Sequence, residues 1–183
     1  MAYALREILE TDLDLLREHR NRIDTRCYLG NANPVTEAQQ RAWWEKHDRN
    51  AYKVVQVNGA DVGLVRVTDV DDATACVGSD VFFEHRGKGY GHMAFAAACD
   101  LADERVGVFR DLARRRLVRR LKPRSLWLRV FIENERAVRI YGKAGFVVDQ
   151  NATVEVYPRI TSEGGALRML HYVRMVRHHQ EPT

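Results

Sequence analysis

The sequence predicts an α/β (α+β) fold in which helices cover both faces of a central mixed sheet of about six or seven mostly antiparallel strands. Residues 52–83 hold three β-rich runs separated by turn signals, which is typical of an antiparallel meander. Residues 89–104 then carry apolar side chains at helical spacing, and residues 126–148 pass from a strand through a short helix to another strand. Because no repeat or low-complexity linker interrupts the chain, we expect one domain over residues 1–183.

Two helices are expected ahead of the meander. Thr11 is predicted to cap the first, at about 11–23, with acidic residues in the first turn, where the helix dipole favours them. The run Thr36-Glu37-Ala38-Gln39 is a capping-box pattern and predicts a second helix that ends near His47. The Asn- and Gly-rich stretch 30–34 between them predicts a loop.

The strands of the meander are expected at 52–57, 62–67 and 75–83, and Asn58-Gly59 is a strong hairpin signal between the first two. Consecutive strands joined by such short turns pair antiparallel.

An arginine-rich segment follows the helix of 89–104. Gly107 interrupts that helix, but apolar residues between Phe109 and Leu121 keep helical spacing, so we expect a helical insertion at about 105–124. A solvated face or a subunit contact would explain its charge, and so would a patch for an acidic partner such as nucleic acid. Its nine basic residues are Arg105, Arg110, Arg114, Arg115, Arg116, Arg119, Arg120, Lys122 and Arg124.

The last third of the chain predicts alternating elements. Residues 126–132 alternate as a strand, residues 135–144 form a short helix, and Gly145 sits where a left-handed C-cap is expected. Closing strands are predicted at 146–148 and 167–176.

Composition limits the location and chemistry. The sequence contains no run of about 18 uncharged apolar residues, so no membrane span is expected. Charges throughout the first 20 residues argue against a secretory signal. Three scattered cysteines, Cys27, Cys76 and Cys99, are too few for a disulfide framework or a zinc site, so we expect a cytoplasmic protein without a metal. The net charge of +4 favours an anionic ligand without specifying nucleic acid.

The loop Arg86-Gly87-Lys88-Gly89-Tyr90-Gly91 lies between a predicted strand and a predicted helix. Glycines let a backbone curl closely around a ligand, and the free amides of a first helical turn attract anions. A pyrophosphate fits this pattern, while a polar turn that binds nothing would explain the six residues alone about equally well. A P-loop is excluded because the Gly-Lys-Ser/Thr ending is missing, and a dinucleotide fold because the preceding strands form a meander.

A second motif decides between these interpretations. Residues 130–146 run from a strand through Asn134 to a short helix with Tyr141, and then through Gly145-Phe146 into a strand. This order of elements lies about 40 residues after the glycine loop. With both motifs in place, the sequence resembles the GNAT superfamily (Gcn5-related N-acetyltransferases) over about residues 3–176. It is most similar to the subgroup of nucleotide-sugar amine, ribosomal-protein N-terminal and polyamine acetyltransferases.

The resemblance implies a GNAT fold with a splayed pair of parallel strands and acetyl-CoA as the cosubstrate. Amides of the glycine loop would bind the pyrophosphate of coenzyme A, and the strand before the loop would pair with the pantetheine arm in the gap. The implied cofactor-binding residues are Val81, Phe82, Phe83, Arg86, Gly87, Lys88, Gly89, Tyr90, Gly91, Asn134 and Tyr141.

The resemblance also implies direct attack of an amine on the thioester. Tyr141 would then donate a proton or a hydrogen bond to the departing thiolate. Asp80 is a candidate general base, and Glu84, Glu133 or a bound water are alternatives. None of the cysteines has a His and an acid arranged around it in the sequence, so no acyl-enzyme is expected.

The first two helices shape the acceptor site in this superfamily. Here Arg20, Asn21 and Arg26 could hold an anionic acceptor such as a nucleotide diphosphate, or they could belong to a solvated helix face. We expect an N-acetyltransferase for a small amine, such as an amino sugar or a nucleotide-linked amine, acting as a monomer or homodimer. The alternatives are a protein N-terminal or nucleic-acid base amine as acceptor, and a coenzyme A-binding module without turnover.

Overall fold

The computed structural model describes residues 2–71, 73–105, 110–111, 116–117 and 125–178. The described strands are β1 (Ala4–Glu7), β2 (Tyr52–Val57), β3 (Ala60–Thr68), β4 (Thr74–Val81), β5 (Arg110–Asp111), β6 (Arg116–Leu117), β7 (Ser125–Phe131), β8 (Val147–Val148), β9 (Glu155–Ile160) and β10 (Leu167–His178). The described α-helices are α1 (Leu13–Asn21), α2 (Ile23–Arg26), α3 (Glu37–Lys46), α4 (Tyr90–Arg105) and α5 (Glu135–Lys143).

The main sheet has eight strands in the order β1-β2-β3-β4-β7-β10-β8, with β9 paired to β10. Among the described strands, β4 and β7 are the one parallel pair, so the predicted mixed and mostly antiparallel sheet is confirmed. The sequence patterns missed β1 and β9, which lie at the outer parts of the sheet. Both are short, and β9 gains its backbone partners only from the long strand β10.

The parallel pair opens into a gap. Strands β4 and β7 pair only from Thr74↔Ser125 to Cys76↔Trp127. Beyond this point β4 stays bonded to β3 as far as Val81, and β7 stays bonded to β10 as far as Phe131. The facing edges therefore diverge and leave backbone groups unpaired, which confirms the predicted splayed pair.

Helices cover both faces of the sheet, as predicted. On one face, α4 and α5 pack on a large core that contains Val65, Val77 and Leu128. On the other face, α1 and α3 pack on a smaller cluster around Leu16 and Val54. Alternate residues of β3, β4 and β7 thus point to different helices.

The start of the first helix differs from the prediction. Thr11 lies inside a 3-10 turn, Glu10–Asp12, and α1 begins only at Leu13. Asp12 stands at the N-cap position of α1 without a side-chain capping bond, because its carboxylate turns back to accept the Leu9 amide at 2.8 Å and to pair with Arg6. The helix then ends at Asn21 rather than at residue 23.

Two predicted helix boundaries are confirmed. The Thr36 hydroxyl accepts the amide of Gln39 at 3.2 Å, and the Gln39 side chain accepts the Thr36 amide at 2.9 Å, which completes the capping box of α3. Gly145 has a φ of 84° directly after α5, as a left-handed C-cap requires.

The helical prediction for the arginine-rich segment is wrong where the structure describes it. Strands β5 and β6 form an antiparallel pair, Arg110↔Leu117 and Asp111↔Arg116. Arginines four apart in this sequence, such as Arg110 and Arg114, repel each other on a helix face, which weakens the apolar spacing as a helix signal. The other residues of the predicted insertion, apart from Arg105, lie outside the described residues.

Within the described part of the chain, no helix is long and apolar enough to cross a membrane.

Candidate active site

A cavity of about 280 Å³ passes through the gap between β4 and β7. Residues from both faces of the sheet and from the glycine loop line it, so one space connects the two sides. The lining residues are Asp24, Thr25, Tyr28, Leu29, Arg66, Ser79, Asp80, Val81, His85, Arg86, Gly87, Tyr90, Gly91, Arg129, Val130, Asn134, Arg136, Ala137, Ile140 and Tyr141.

The glycine loop forms one wall of this cavity. Gly87 and Gly89 have φ values of 81° and 87°, a region that side-chain-bearing residues rarely adopt. Their conformation turns the chain from β4 into α4, whose first amides have no intrahelical partner. The loop thus presents donors and a positive helix end, as the anion-cradle prediction requires, although Lys88 and Gly89 do not line the cavity themselves.

Arg86 anchors the loop rather than facing a ligand. Its guanidinium donates to the Val81 carbonyl at 3.2 Å, to the Asp24 carboxylate at 3.0 Å and to the Thr25 hydroxyl at 2.6 Å. These bonds tie the end of β4 and the loop to α2. Protein acceptors therefore occupy much of this guanidinium, and the prediction that Arg86 also contacts the cofactor stays a prediction.

The three predicted residues of the strand before the loop occupy different surroundings. Val81 lines the cavity. The Phe82 ring is buried in the smaller cluster, and its amide donates to the Val62 carbonyl at 2.9 Å, on the side away from the gap. Phe83 lies in a 3-10 turn, exposed, with the Arg22 guanidinium 3.5 Å above its ring. The unpaired edge of β4 ends at Val81, because the chain turns there.

Asn134 caps α5 at the opposite wall. Its side-chain oxygen accepts the Ala137 amide at 3.4 Å, which leaves the amide group of the side chain able to donate. The first turn of α4 lies close to the second turn of α5, since a Cβ on Gly91 would come within 2.7 Å of the Ile140 side chain. Arg136, which the sequence patterns did not indicate, lines the cavity from the first turn of α5.

Tyr141 reaches the cavity from α5. Its ring packs against Phe95 with centroids 4.5 Å apart, which fixes its position. Burial raises the pKa of the hydroxyl to about 12, the Asp80 carboxylate adds to the rise, and the Arg66 guanidinium opposes it. The hydroxyl is therefore a proton donor throughout the neutral pH range.

Asp80 also lines the cavity, and so does Arg66 beside it. A guanidinium nitrogen of Arg66 lies 3.4 Å from the Asp80 carboxylate. Burial disfavours the charge on Arg66, but Asp80 and smaller contributions from neighbouring groups together keep the pKa of the guanidinium above its usual value. The sequence patterns missed Arg66, although a lone arginine between apolar strand residues is a detectable signal.

The alternative bases lie elsewhere. Glu133 accepts the His171 ring nitrogen at 2.7 Å and the His171 amide at 3.0 Å. Burial would raise its pKa, but these two bonds outweigh burial and lower it, so Glu133 is a poor proton acceptor. Glu84 lies in the exposed 3-10 turn and does not line the cavity.

The predicted acceptor residues hold a loop instead of lining the cavity. Arg20 donates to the Asn31 carbonyl at 2.5 Å, and Arg26 to the Ala32 carbonyl at 2.9 Å. The Asn21 side chain bonds the backbone of Val35 in both directions, at 2.7 and 2.8 Å. Sequence position could not separate these structural donors from ligand-binding ones, because the loop carbonyls that they bind carry no sequence signal.

The comparisons with known proteins agree with this geometry. The family model for the acetyltransferase (GNAT) domain matches residues 3–147. The chain belongs to the GNAT acetyltransferases. It is thus an N-acetyltransferase, and acetyl-CoA is its acyl donor. No curated protein matches the chain by sequence.

Solved structures show the same fold at low sequence identity. A spermidine N-acetyltransferase from Vibrio cholerae, solved with CoA and spermine, is 21% identical with a TM-score of 0.73, over 96% of this chain and 95% of that one. A Salmonella typhimurium structure described as an acetyltransferase with its cofactor acetyl-CoA is 20% identical with a TM-score of 0.65, over 100% and 99%. A GNAT-family acetyltransferase from Streptococcus pneumoniae is 17% identical with a TM-score of 0.62, over 97% and 99%.

Among the described residues, no three His, Cys, Asp or Glu side chains lie where they could share a metal ion. The cysteines Cys27, Cys76 and Cys99 are free thiols.

The raised pKa of Tyr141 predicts a loss of stability at alkaline pH. The folded protein holds this proton up to about pH 12, whereas an unfolded chain releases it near pH 10. The stabilising contribution is therefore complete below pH 10 and is lost as the pH rises through 12. Urea unfolding at several pH values should show a steeper fall for the native sequence than for Tyr141→Phe between pH 10 and 12, and parallel curves would contradict the assignment.

The backbone of Gly89 predicts a specific effect on coenzyme A binding. Gly89→Ala should weaken binding by about 10-fold, because a Cβ at positive φ costs roughly 1 kcal/mol and shifts the loop amides. Gly59→Ala is the matched control, since Gly59 has a φ of 79°, equally open surroundings and a position in the β2–β3 hairpin. Calorimetric titration with CoA should show native affinity for the control, and native affinity for Gly89→Ala would refute the loop as the phosphate site.

Proposed function

We propose that this enzyme transfers the acetyl group of acetyl-CoA directly to the primary amine of a small molecule, in the cavity between β4 and β7. The observation that carries the proposal is that Tyr141, Asp80 and residues of the glycine loop line this one cavity. The cavity therefore combines an anion site with a proton donor and a carboxylate. A module that only held coenzyme A would have no need of the last two.

The donor end of the cavity suits coenzyme A. The amides of the glycine loop would hold the pyrophosphate, and Arg136 is the nearby cavity-lining cation that could join them. The unpaired edge of β4, up to Val81, offers the backbone donors and acceptors that an amide-containing pantetheine arm can pair with. Asn134 would contribute the free amide group of its side chain.

The reaction then needs two proton transfers. The neutral amine nitrogen attacks the thioester carbonyl carbon, a C–N bond forms, and the C–S bond breaks. Tyr141 donates its hydroxyl proton to the leaving sulfur, and Asp80 takes the surplus proton from the acetylated nitrogen. Solvent returns both groups to their starting states, so the products are an amide and free coenzyme A.

For the acceptor, we propose a small amine such as an amino sugar or a nucleotide-linked amine. The volume of about 280 Å³ suits a small molecule better than a folded protein surface. A similar fold serves the Vibrio cholerae spermidine N-acetyltransferase, whose acceptor is also a small amine.

Tyr141→Phe tests the proton donor. It should lower kcat by about 100-fold or more, because general acid catalysis typically contributes that much, while the KM for acetyl-CoA changes little. Thiol release from acetyl-CoA with a panel of amines measures both constants. Tyr52→Phe is the matched control, since Tyr52 packs against Trp43 and does not line the cavity. An unchanged kcat in Tyr141→Phe would show that Tyr141 is not the general acid.

Asp80→Asn tests the proton acceptor. The substitution keeps the shape and removes the carboxylate that would accept the proton, so kcat should fall by about 100-fold. Glu84→Gln, closer to the glycine loop and outside the cavity, serves as the control for removal of a nearby charge. A native kcat in Asp80→Asn would assign the base to a water molecule instead.

A further inference from the structure

One arginine that lines the cavity, Arg66, lies opposite a glycine on the neighbouring strand. Arg66 on β3 pairs with Gly78 on β4. A Cβ on Gly78 would lie 2.6 Å from the central carbon of the Arg66 guanidinium and 2.8 Å from two of its nitrogens. The guanidinium therefore lies directly over the backbone of β4 and reaches toward the gap, and any larger residue at 78 would displace it.

Most of the donors on this guanidinium are open. Within the described part of the chain, Asp80 is the one acceptor that it reaches, at a long distance of 3.4 Å. A guanidinium has five N–H donors, so several remain for a ligand. The side chain is 37% accessible and lines the cavity. In Arg86, by contrast, three protein acceptors take up the guanidinium.

A second arginine approaches the same place from β7. Cys76↔Trp127 is the last parallel pair, so Gly78 and Arg129 follow it on the same face, where the gap opens. Arg129 lines the cavity and keeps one bond, to Glu155 at 3.2 Å. Its guanidinium lies 5.9 Å from the Tyr172 ring. Arg66 and Arg129 thus line one cavity from strands on the two sides of the gap.

Both arginines lie on the acceptor face of the sheet. Val65 and Val67 beside Arg66 are buried in the core under α4, so Arg66 points to the opposite face. Leu128 and Val130 flank Arg129 in the same way. The glycine loop and α5 lie on the α4 side, so neither arginine belongs to the phosphate site of the donor.

We propose that Arg66 and Arg129 form an anion subsite that recognises a carboxylate or phosphate on the acceptor amine. This inference rests on the proposed function and names its substrate class. At the acceptor end of the cavity Arg66 and Arg129 lie with one carboxylate, Asp80, so the charge there favours an acceptor with an anionic group and opposes a polycation. The enzyme thus differs in acceptor class from the spermidine acetyltransferase that shares its fold.

Matched acceptor pairs test the subsite. An L-amino acid is compared with its amide for the carboxylate, and glucosamine 6-phosphate with glucosamine for the phosphate, with spermidine as the polycation. Thiol release gives kcat/KM per concentration of unprotonated amine. We expect the anionic member of at least one pair to be preferred by about 10- to 100-fold, the range of a charge-assisted hydrogen bond. The preferred pair tells which anion the acceptor carries.

Three substitutions test whether Arg66 causes the preference for the anionic acceptor. Arg66→Gln should reduce it to about 3-fold or less, and Arg66→Lys should retain part of it because a charge remains. Gly78→Ala keeps the charge but moves the guanidinium, so it should also weaken the preference. Arg174→Gln is the matched control, because Arg174 pairs with Arg129 across β7 and β10, shares its face and does not line the cavity. It should leave the preference as it is.

The outcomes separate this inference from the proposed function. The subsite is refuted if the enzyme prefers the uncharged members or spermidine. It is also refuted if the preference for the anionic member survives Arg66→Gln. In both cases the acetyltransferase activity itself is unaffected. If no amine releases thiol, the proposed reaction is refuted. Calorimetric titration of CoA-saturated protein with the same acceptor pairs then tests the subsite separately. Binding of the anionic member that is lost in Arg66→Gln supports the subsite, whereas equal binding of both members, or no binding of either, refutes it.

Discussion

The cavity and its chemistry depend on how far β4 and β7 pair. Each strand is committed to an outer neighbour, β4 to β3 as far as Val81 and β7 to β10 as far as Phe131. The two share only the three pairs that end at Cys76↔Trp127. Strands in a sheet twist relative to one another, so two halves joined over so short a ladder diverge beyond it. The backbone edges exposed there are what an extended amide ligand can pair with.

Arg86 links the two sides of this gap. Its bonds to Asp24 and Thr25 connect the glycine loop, on the donor side, with α2, on the acceptor side. A substitution that moves α2 would therefore also move the loop amides. The same bonds occupy much of the Arg86 guanidinium, so attraction in the loop comes mainly from backbone amides and the start of α4.

The sequence predicted the elements that local rules determine. The capping box at Thr36, the hairpin at Asn58-Gly59 and the C-cap at Gly145 all depend on a few neighbouring residues, and all are present. The resemblance supplied the mixed sheet with its splayed parallel pair. What failed depends on partners outside the element. The chain at Thr11 forms a 3-10 turn instead of a cap, and the carboxylate of Asp12 in that turn pairs with Arg6 on β1.

The roles of individual arginines show the same limit most clearly. Arg20 and Arg26 stand in plausible ligand-binding stretches of the sequence, yet each bonds a loop carbonyl and neither lines the cavity. Arg86 lines the cavity, but a carbonyl, a carboxylate and a hydroxyl of the protein accept its bonds.

Arg66 stands in an ordinary strand, and only the register that sets it opposite Gly78 brings its guanidinium to the cavity. An arginine is available to a ligand when its side chain lines the cavity and its donors outnumber the acceptors that the fold supplies there, and both conditions are properties of tertiary contacts. A glycine opposite a lone arginine on adjacent strands is the nearest sequence sign of such a site, since the missing side chain leaves the space that the guanidinium fills.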